Sequence, residues 1–450
     1  MISAEAFWTQ SLRDSNRGEA ITRILAAAIQ AVEPGEAVRH FVHLKDERLT
    51  VSDRSYELQD FRQVFLLGIG KASAGMTESM GGILGERISD ALVITKHIPA
   101  LPTANLPFSI IQGGHPLPDE RSLAAGKKVL EFVSALQPDD LLICLISGGG
   151  SALVCAPVEG VSLAEMQALT STLLVSGAAI GEINILRRRL DRLKGGGLVK
   201  LANGATVVSL ILSDVVGNPL EAIASGPTTP DPASRQDALE VISKYALGKL
   251  VPLSILAGVE NTPETPKPGD PLFGKVQNVI VGSNLLAAQS ALKQASDEGF
   301  NPYLLRTDLQ GEAGQAAFEL ATFLRQARKT GTPVPAPACI LAGGETTVTM
   351  KGNGRGGRNT ELALASVTEL ADFPDVMLAS LASDGEDGPT DAAGAIVTGE
   401  TFRRAVRLGL RPGDYLERND SYTFFAALDD LLKPGPTGTN VTDLIFLFTF

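Results

Sequence analysis

Residues 141–154 read LLICLISGGGSALV: six apolar residues, a serine, three glycines and a second serine. A continuous apolar run of this length, closed by glycine, marks a strand buried on both faces, as in a parallel sheet. A buried strand that ends in consecutive glycines either bends sharply or lays its backbone against something. That something is a phosphate, an acyl oxyanion or a plain tight turn. The nucleophile elbow G-x-S-x-G does not fit, because Gly149-Gly150-Ser151-Ala152 is followed by Leu153. Consecutive glycines before a helix turn several N–H groups toward one point, with the positive helix end behind them, which suits an anion.

Working outward, the same pattern recurs in VFLLGIGKASAGM (64–76), NVIVGSNLLAAQSAL (278–292), CILAGGETTV (339–348) and MLASLASDGEDG (377–388). In VVSLILSDVVGNP (207–219) Ser-Asp stands at the strand end instead of glycine. Helical periodicities such as SLAAGKKVLEFVSAL (122–136) and QAAFELATFLRQARK (315–329) lie between the runs. This alternation predicts an α/β fold: a doubly wound, Rossmann-like, mainly parallel sheet, followed by a second, smaller α/β domain. Ligands in such sheets sit outside the carboxyl ends of the strands, where every one of these turns falls. A chain of 450 residues is long for one core. The linker-like NTPETPKPGDP (261–271) puts the boundary near 260–275, giving domains 1–262 and 272–450. GTPVPAPA (331–338) reads as a loop inside the second.

The net charge of −12, with no separate basic block, argues against a nucleic-acid partner. Anionic metabolites remain open to local Lys, Arg and N–H groups. Cys144, Cys155 and Cys339 lack any zinc or CxxC spacing, and Cys144 and Cys339, inside apolar runs, read as small core residues, which fits a reducing compartment. The first twenty residues lack the layout of a signal peptide, and no apolar run reaches the ~18–20 residues of a membrane span. A cytoplasmic protein without membrane contact is the expectation. In INILRRRLDRLKGGG (183–197), Ile183, Leu186, Leu190 and Leu193 mark the apolar face of a helix. Its arginines read mostly as a solvated face, with one or two able to reach a substrate carboxylate.

In GIGKAS, Lys71 leaves the first turn after a strand, where its charge can meet an anion held by the glycines. This is neither a P-loop, since Ala72 follows Lys71, nor a dinucleotide fingerprint, since Ser73 stands where the third glycine belongs. KGNGRGGRNTELALA (351–365) sets Arg355 and Arg358 among glycines at a helix start, and PGPTGTNVTD (434–443) is again small and hydroxyl-bearing. Arginine suits paired hydrogen bonds to phosphate or carboxylate. Asp214, Asp384, Asp387 and Asp391 are either turn residues bonding their own backbone or carboxylates for Mg²⁺, with nucleotide phosphates completing the shell. His115, beside glycines in GGHPLPDERS, is a ligand-contact candidate. Anion-binding loops, cations and carboxylates together describe phosphoryl transfer.

GIGKAS, GGHPLPDERS, ISGGGSALV, INILRRRLDRLKGG, SDVVGNPLEAIASGPT, LAGGETTV, GRGGRNTELAL, SDGEDGPTDAAGA, NDSY and GPTGTNVTDL follow one another along nearly the whole chain. In this order they resemble the class II glycerate kinases, the glycerate 2-kinase family with a C-terminal MOFRL-type domain (about 336–450 here). The resemblance implies ATP-dependent phosphorylation of D-glycerate to 2-phosphoglycerate with Mg²⁺, in a cleft between two α/β domains. It matches the family's catalytic lysine and arginine to Lys71 and Arg358. By its residue chemistry Asp214 is expected to orient or deprotonate the attacking hydroxyl. Gly68, Gly70, Ser147, Gly148, Gly149, Gly150, Ser151, Gly343, Gly344 and Glu345 are expected around the nucleotide. His115, Arg188 and Asn359 are expected at the substrate, and Asp384 and Asp387 at the metal. The expected partners are the sugar acid and ATP, with a homodimer left open. The chain departs from the family pattern at Asn184–Asp191, at Asn218 and at Lys96-His97-Ile98-Pro99. The rival readings are a hydroxypyruvate reductase, which lacks a dinucleotide fingerprint here, and a non-catalytic sugar-acid binder.

Overall fold

The computed structural model describes residues 2–98 and 108–450, which leaves Pro99 of the third departure outside the described residues. β1 (Val42–Lys45), β2 (Arg48–Val51) and β3 (Arg54–Glu57) form a small antiparallel sheet. The next six strands are β4 (Val64–Ile69), β5 (Ile88–Thr95), β6 (Phe108–Gln112), β7 (Leu141–Ser147), β8 (Thr206–Leu212) and β9 (Val276–Gly282). They build one sheet in the order β6-β5-β4-β7-β8-β9. β6 through β8 run parallel, as the doubly wound reading requires. Every residue of β7 is buried, because helices cover both faces of a parallel sheet. Helix Glu120–Ser134 contributes Val129 and Val133 to the core that includes Leu67, Ile94 and Ile146. A second core, around Leu169, Leu186, Val241 and Ile255, ties together helices Leu163–Val175, Ile180–Arg189, Arg235–Lys244 and Leu253–Asn261.

The remaining strands are β10 (Asn301–Leu309), β11 (Ala338–Gly344), β12 (Val376–Ala382), β13 (Gly394–Thr398), β14 (Leu431–Leu432) and β15 (Asp443–Thr449), in the order β10-β11-β15-β12-β13-β14. This sheet is mixed, unlike the parallel one implied by the apolar runs 339–348 and 377–388. β15 lies between β11 and β12 and is antiparallel to both. β11 and β12 therefore run parallel to each other, and their glycine- and aspartate-rich ends leave the sheet on the same edge.

Two compact units result, residues 34–281 and residues 1–33 with 282–450. The boundary differs from the expected one at both places. The stretch 261–271 is packed rather than loose: Thr262 and Pro263 give carbonyls to Arg189, Pro266 gives its carbonyl to Asp231 N–H, and the Thr265 hydroxyl bonds Asp231. The first 33 residues belong with the C-terminal unit. Helix Gly18–Gln30 buries Ile21, Leu25 and Ile29 and packs on helix Asn284–Asp297, whose inner face is Ala287, Ala288, Ala291 and Ala295. Arg23 adds two bonds to Glu298 at 2.6 and 2.8 Å. Asp430, fully buried, accepts from Ser11 N–H and Oγ at 2.8 and 2.9 Å and from Arg404 at 2.7 Å. Removing one partner of such a pair leaves a buried charge uncompensated. Arg404→Ala, which leaves the Asp430 carboxylate buried without its cation, is therefore expected to cost about 3–5 kcal/mol in chemical denaturation.

Candidate active site

In the unit of residues 34–281 the site follows from strand register. Ile69 of β4 pairs with Ile146 of β7, so the turns that follow lie side by side. Lys71 N–H donates to Gly148 O at 3.0 Å, and Ala72 N–H donates to the Ser147 hydroxyl at 3.0 Å. A side chain on Gly148 would collide with the Asp214 carboxylate, which arrives from the end of β8. One on Gly149 would lie 3.1 Å from His115 Cδ2 and 3.2 Å from Lys71 Cε. Gly149 also has φ +82°, in the left-handed region that only glycine enters freely. Lys71, His115 and Asp214 thus meet around Gly148-Gly149, brought by four strand ends. Ser151 Oγ shares a hydrogen bond of 2.8 Å with Ser225.

Burial, with help from the charges of Lys71 and Lys96, pushes the His115 pKa down to about 4. The imidazole is neutral at physiological pH and offers a donor and an acceptor without charge. Beside it lies a cavity of about 170 Å³, lined by His115, Gly149, Ser151, Met166, Thr170, Arg187 and Lys194 among others. Lys194 is buried and held by Asp191 at 2.6 Å and by Val154 O at 3.1 Å. The departure at Asp191 is thereby explained as a structural ion pair. Asn218 takes a left-handed backbone (φ +54°) in the turn after β8, a conformation that Asn tolerates.

Sequence expectations for the arginine run, Asp387 and Asn359 meet different surroundings in the structure. Arg188, a substrate candidate, is buried and locked to Asp231 at 2.7 Å. Nor is the arginine run a solvated face: Arg189 is also buried, giving its N–H groups to carbonyls at the end of helix Leu253–Asn261. Asp387, a metal candidate, accepts from Asn359 N–H at 2.9 Å, from Thr360 N–H at 2.8 Å and from the Thr360 hydroxyl at 2.7 Å. It satisfies the start of helix Arg358–Glu369 and has no face left for an ion. Asn359 is buried too, donating to Asp443 at 2.9 Å and accepting from Ser380 at 2.7 Å.

In the C-terminal unit Asp443 opens β15 opposite Gly344 and Ala382, at the edge where β11 and β12 end. Arg358 grips it with Nε at 2.5 Å and a second N–H at 3.1 Å, and reaches Glu345 at 2.6 Å. Burial pushes the Asp443 carboxyl up to about 6, with Arg358 opposing. Burial also works against the Arg358 charge, but Asp443 and Glu345 outweigh it and its pKa is raised. Asp384 is half-buried and accepts from Glu386 N–H at 3.2 Å and Asn440 at 3.5 Å. Gly68, Gly343 and Gly344 are small because Thr77, Asn284 and the Leu309 backbone occupy the space a side chain would need.

Sequence reading missed Arg187 and Asp443. Arg187 carried a signal: it lies four residues after Ile183 and three before Leu190, beside the apolar stripe rather than opposite it. Asp443 became visible only once β15 was seen to enter between two other strands.

The model of a domain of unknown function, DUF4147, matches residues 20–260, and that of the MOFRL family matches residues 338–443. A D-glycerate 2-kinase of Thermotoga maritima is 41% identical over 85% of this chain and 90% of its own length. A glycerate 2-kinase of Pyrococcus horikoshii is 36% identical over 94% and 95%. The chain belongs to this glycerate kinase family. A crystal structure of a Thermotoga maritima glycerate kinase superposes with a TM-score of 0.86 at 38% identity, covering 96% of this chain and 99% of that one. The first family model covers Lys71, His115 and Asp214, and the second covers Glu345, Arg358 and Asp443.

The His115 environment of this glycerate kinase is open to titration. NMR of the imidazole C–H signals should give a pKa near 4, moving upward in Lys71→Met, which removes a neighbouring charge. Unfolded histidine binds its proton at about pH 6.5. The unfolded chain therefore holds more protons between that pH and the folded value, and stability falls as the pH is lowered through the window. His115→Gln should flatten that slope in acid denaturation.

Proposed function

We propose that this glycerate kinase transfers the γ-phosphoryl group of ATP to the 2-hydroxyl of D-glycerate. The supporting observation is the convergence of Lys71, neutral His115 and Asp214 on the Gly148-Gly149 turn. In this reading the hydroxyl oxygen forms a bond to the γ-phosphorus, the bond to the β–γ bridging oxygen breaks, and ADP leaves. Asp214 orients the hydroxyl and takes its proton. Lys71 and the N–H groups of the glycine turn neutralise charge gathering on the transferring group, the main catalytic demand of phosphoryl transfer. Arg358, already oriented by Asp443 and Glu345, is the second cation proposed for that task.

The proposal includes Mg²⁺, which supplies charge neutralisation on the phosphates when bound. Among the described residues no group of three or more His, Cys, Asp or Glu is arranged for an ion. Magnesium bound through one carboxylate and substrate phosphates needs no such cage. Half-buried Asp384 fits that role, and capped Asp387 does not. No helix among the described residues is long and apolar enough to cross a membrane. The three cysteines are all free and buried, which suits the reducing cytoplasm proposed here.

Incubation of D-glycerate with Mg-ATP should yield 2-phosphoglycerate, separable from the 3-isomer by ³¹P NMR. Lys71→Ala is expected to lower kcat by ~10²–10³-fold with an unchanged melting temperature, and near-normal turnover would remove Lys71 from the chemistry. Hydroxypyruvate with NAD(P)H should leave the nicotinamide absorbance constant, whereas oxidation would favour the reductase reading.

A further inference from the structure

Three consecutive arginines on helix Ile180–Arg189 meet three fates. Arg189 is satisfied by carbonyls and Arg188 by Asp231. Arg187 has one long bond, 3.5 Å, to Asn184 Oδ1 in its own helix. Among the described residues it has no carboxylate within ion-pair distance. Yet Arg187 is half-buried, and burial depresses its pKa below the ordinary arginine value. A partly desolvated guanidinium without an anion is unfavourable, and the unfavourable term disappears when a carboxylate or phosphate arrives from outside. Arg187 is also the one arginine of the three that lines the 170 Å³ cavity beside His115, Gly149 and Ser151.

That volume bears on which anion arrives. Pockets for drug-sized ligands span about 300–1,000 Å³, so a nucleotide is too large and a short acid is not. Met166 and Thr170 stand in the wall formed by helix Leu163–Val175. We infer that Arg187 receives the carboxylate of the acceptor acid in this cavity, which leaves the acid's hydroxyl toward the Gly149 turn, and that Met166 and Thr170 limit the acid's length. The inference rests on the kinase reading for its substrate and on the geometry of this one unit for its site.

The test compares wild type, Arg187→Met and Arg187→Lys with D-glycerate and Mg-ATP. Loss of charge-assisted bonds predicts a KM for glycerate raised about 10–100-fold in Arg187→Met, with the KM for ATP unchanged and the melting temperature not lowered. Arg187→Lys, which keeps the charge, should fall between. An unaltered glycerate KM in both variants, with wild type active, overturns the anchor and leaves the kinase reading standing. An inactive wild type overturns the kinase reading, and calorimetric binding of D-glycerate alone then decides the anchor. Binding lost in Arg187→Met supports it, and binding retained overturns it. Glycerol, lacking the carboxylate, should bind neither protein. Inorganic phosphate competing as strongly as glycerate, with the same dependence on Arg187, would make this a phosphate subsite and overturn the carboxylate assignment. Met166→Ala should raise kcat/KM for a four-carbon hydroxy acid relative to glycerate, and an unchanged ratio would overturn the length limit.

Discussion

The parallel register of β4 against β7 is the constraint on which the candidate site depends. Because Ile69 stands opposite Ile146, the two strands end level, and their turns must share a space too small for side chains. Glycine at positions 70, 148 and 149 lets the turns interlock through Lys71 N–H to Gly148 O and Ala72 N–H to Ser147 Oγ. The side chains that remain, Lys71, His115 and Asp214, then have one direction in common. A shift of one residue in that pairing would exchange the two faces of the strand and scatter the three groups. Sheet packing and site geometry are here the same requirement.

Polar satisfaction sorts the residues that sequence alone leaves equivalent. The expectation for 183–197 treated three arginines as interchangeable, because charge pattern does not say where a carbonyl or carboxylate will be. The fold supplies Asp231 to one, a helix C-terminus to the second, and a cavity to the third. The same sorting separates Asp384 from Asp387, three residues apart in a loop of one composition. Asp387 meets the unpaired N–H groups of a helix start and is consumed by them, whereas Asp384 keeps a partly exposed carboxylate.

Much of the architecture was legible. All six apolar runs closed by Gly or Ser-Asp are strands, since a strand buried on both faces reads as a short continuous apolar run. The direction of pairing was not legible in the second sheet. An apolar run is equally apolar beside a parallel or an antiparallel neighbour, and the C-terminal LIFLFTF gives no hint that it enters the middle of its sheet. The membership of residues 1–33 was likewise hidden. The amphipathic face of Ile21, Leu25 and Ile29 demands a partner without naming it, and the alanine face of Asn284–Asp297 lies more than 250 residues away. The proline-rich stretch 261–271 misled for a related reason. Proline removes N–H donors and leaves carbonyls, which is the composition of a loop and also of a backbone that satisfies a buried arginine.

The insertion of β15 between β11 and β12 has a chemical consequence as well as a topological one. It plants Asp443 at the edge where both neighbours end, in a place buried enough to push its carboxyl up to about 6. A carboxylate in such a place is sustained by a partner, and Arg358 is that partner, fixed by two bonds to Asp443 and a third to Glu345. The arginine is in turn the first residue of the helix that Asp387 caps. Strand insertion, helix capping and ion pairing therefore converge on the orientation of one guanidinium. A flexible cation would have to be ordered at each encounter with an anion, at a cost in side-chain entropy. Arg358 is ordered beforehand, held by the buried Asp443 and by Glu345, the more exposed carboxylate of the two.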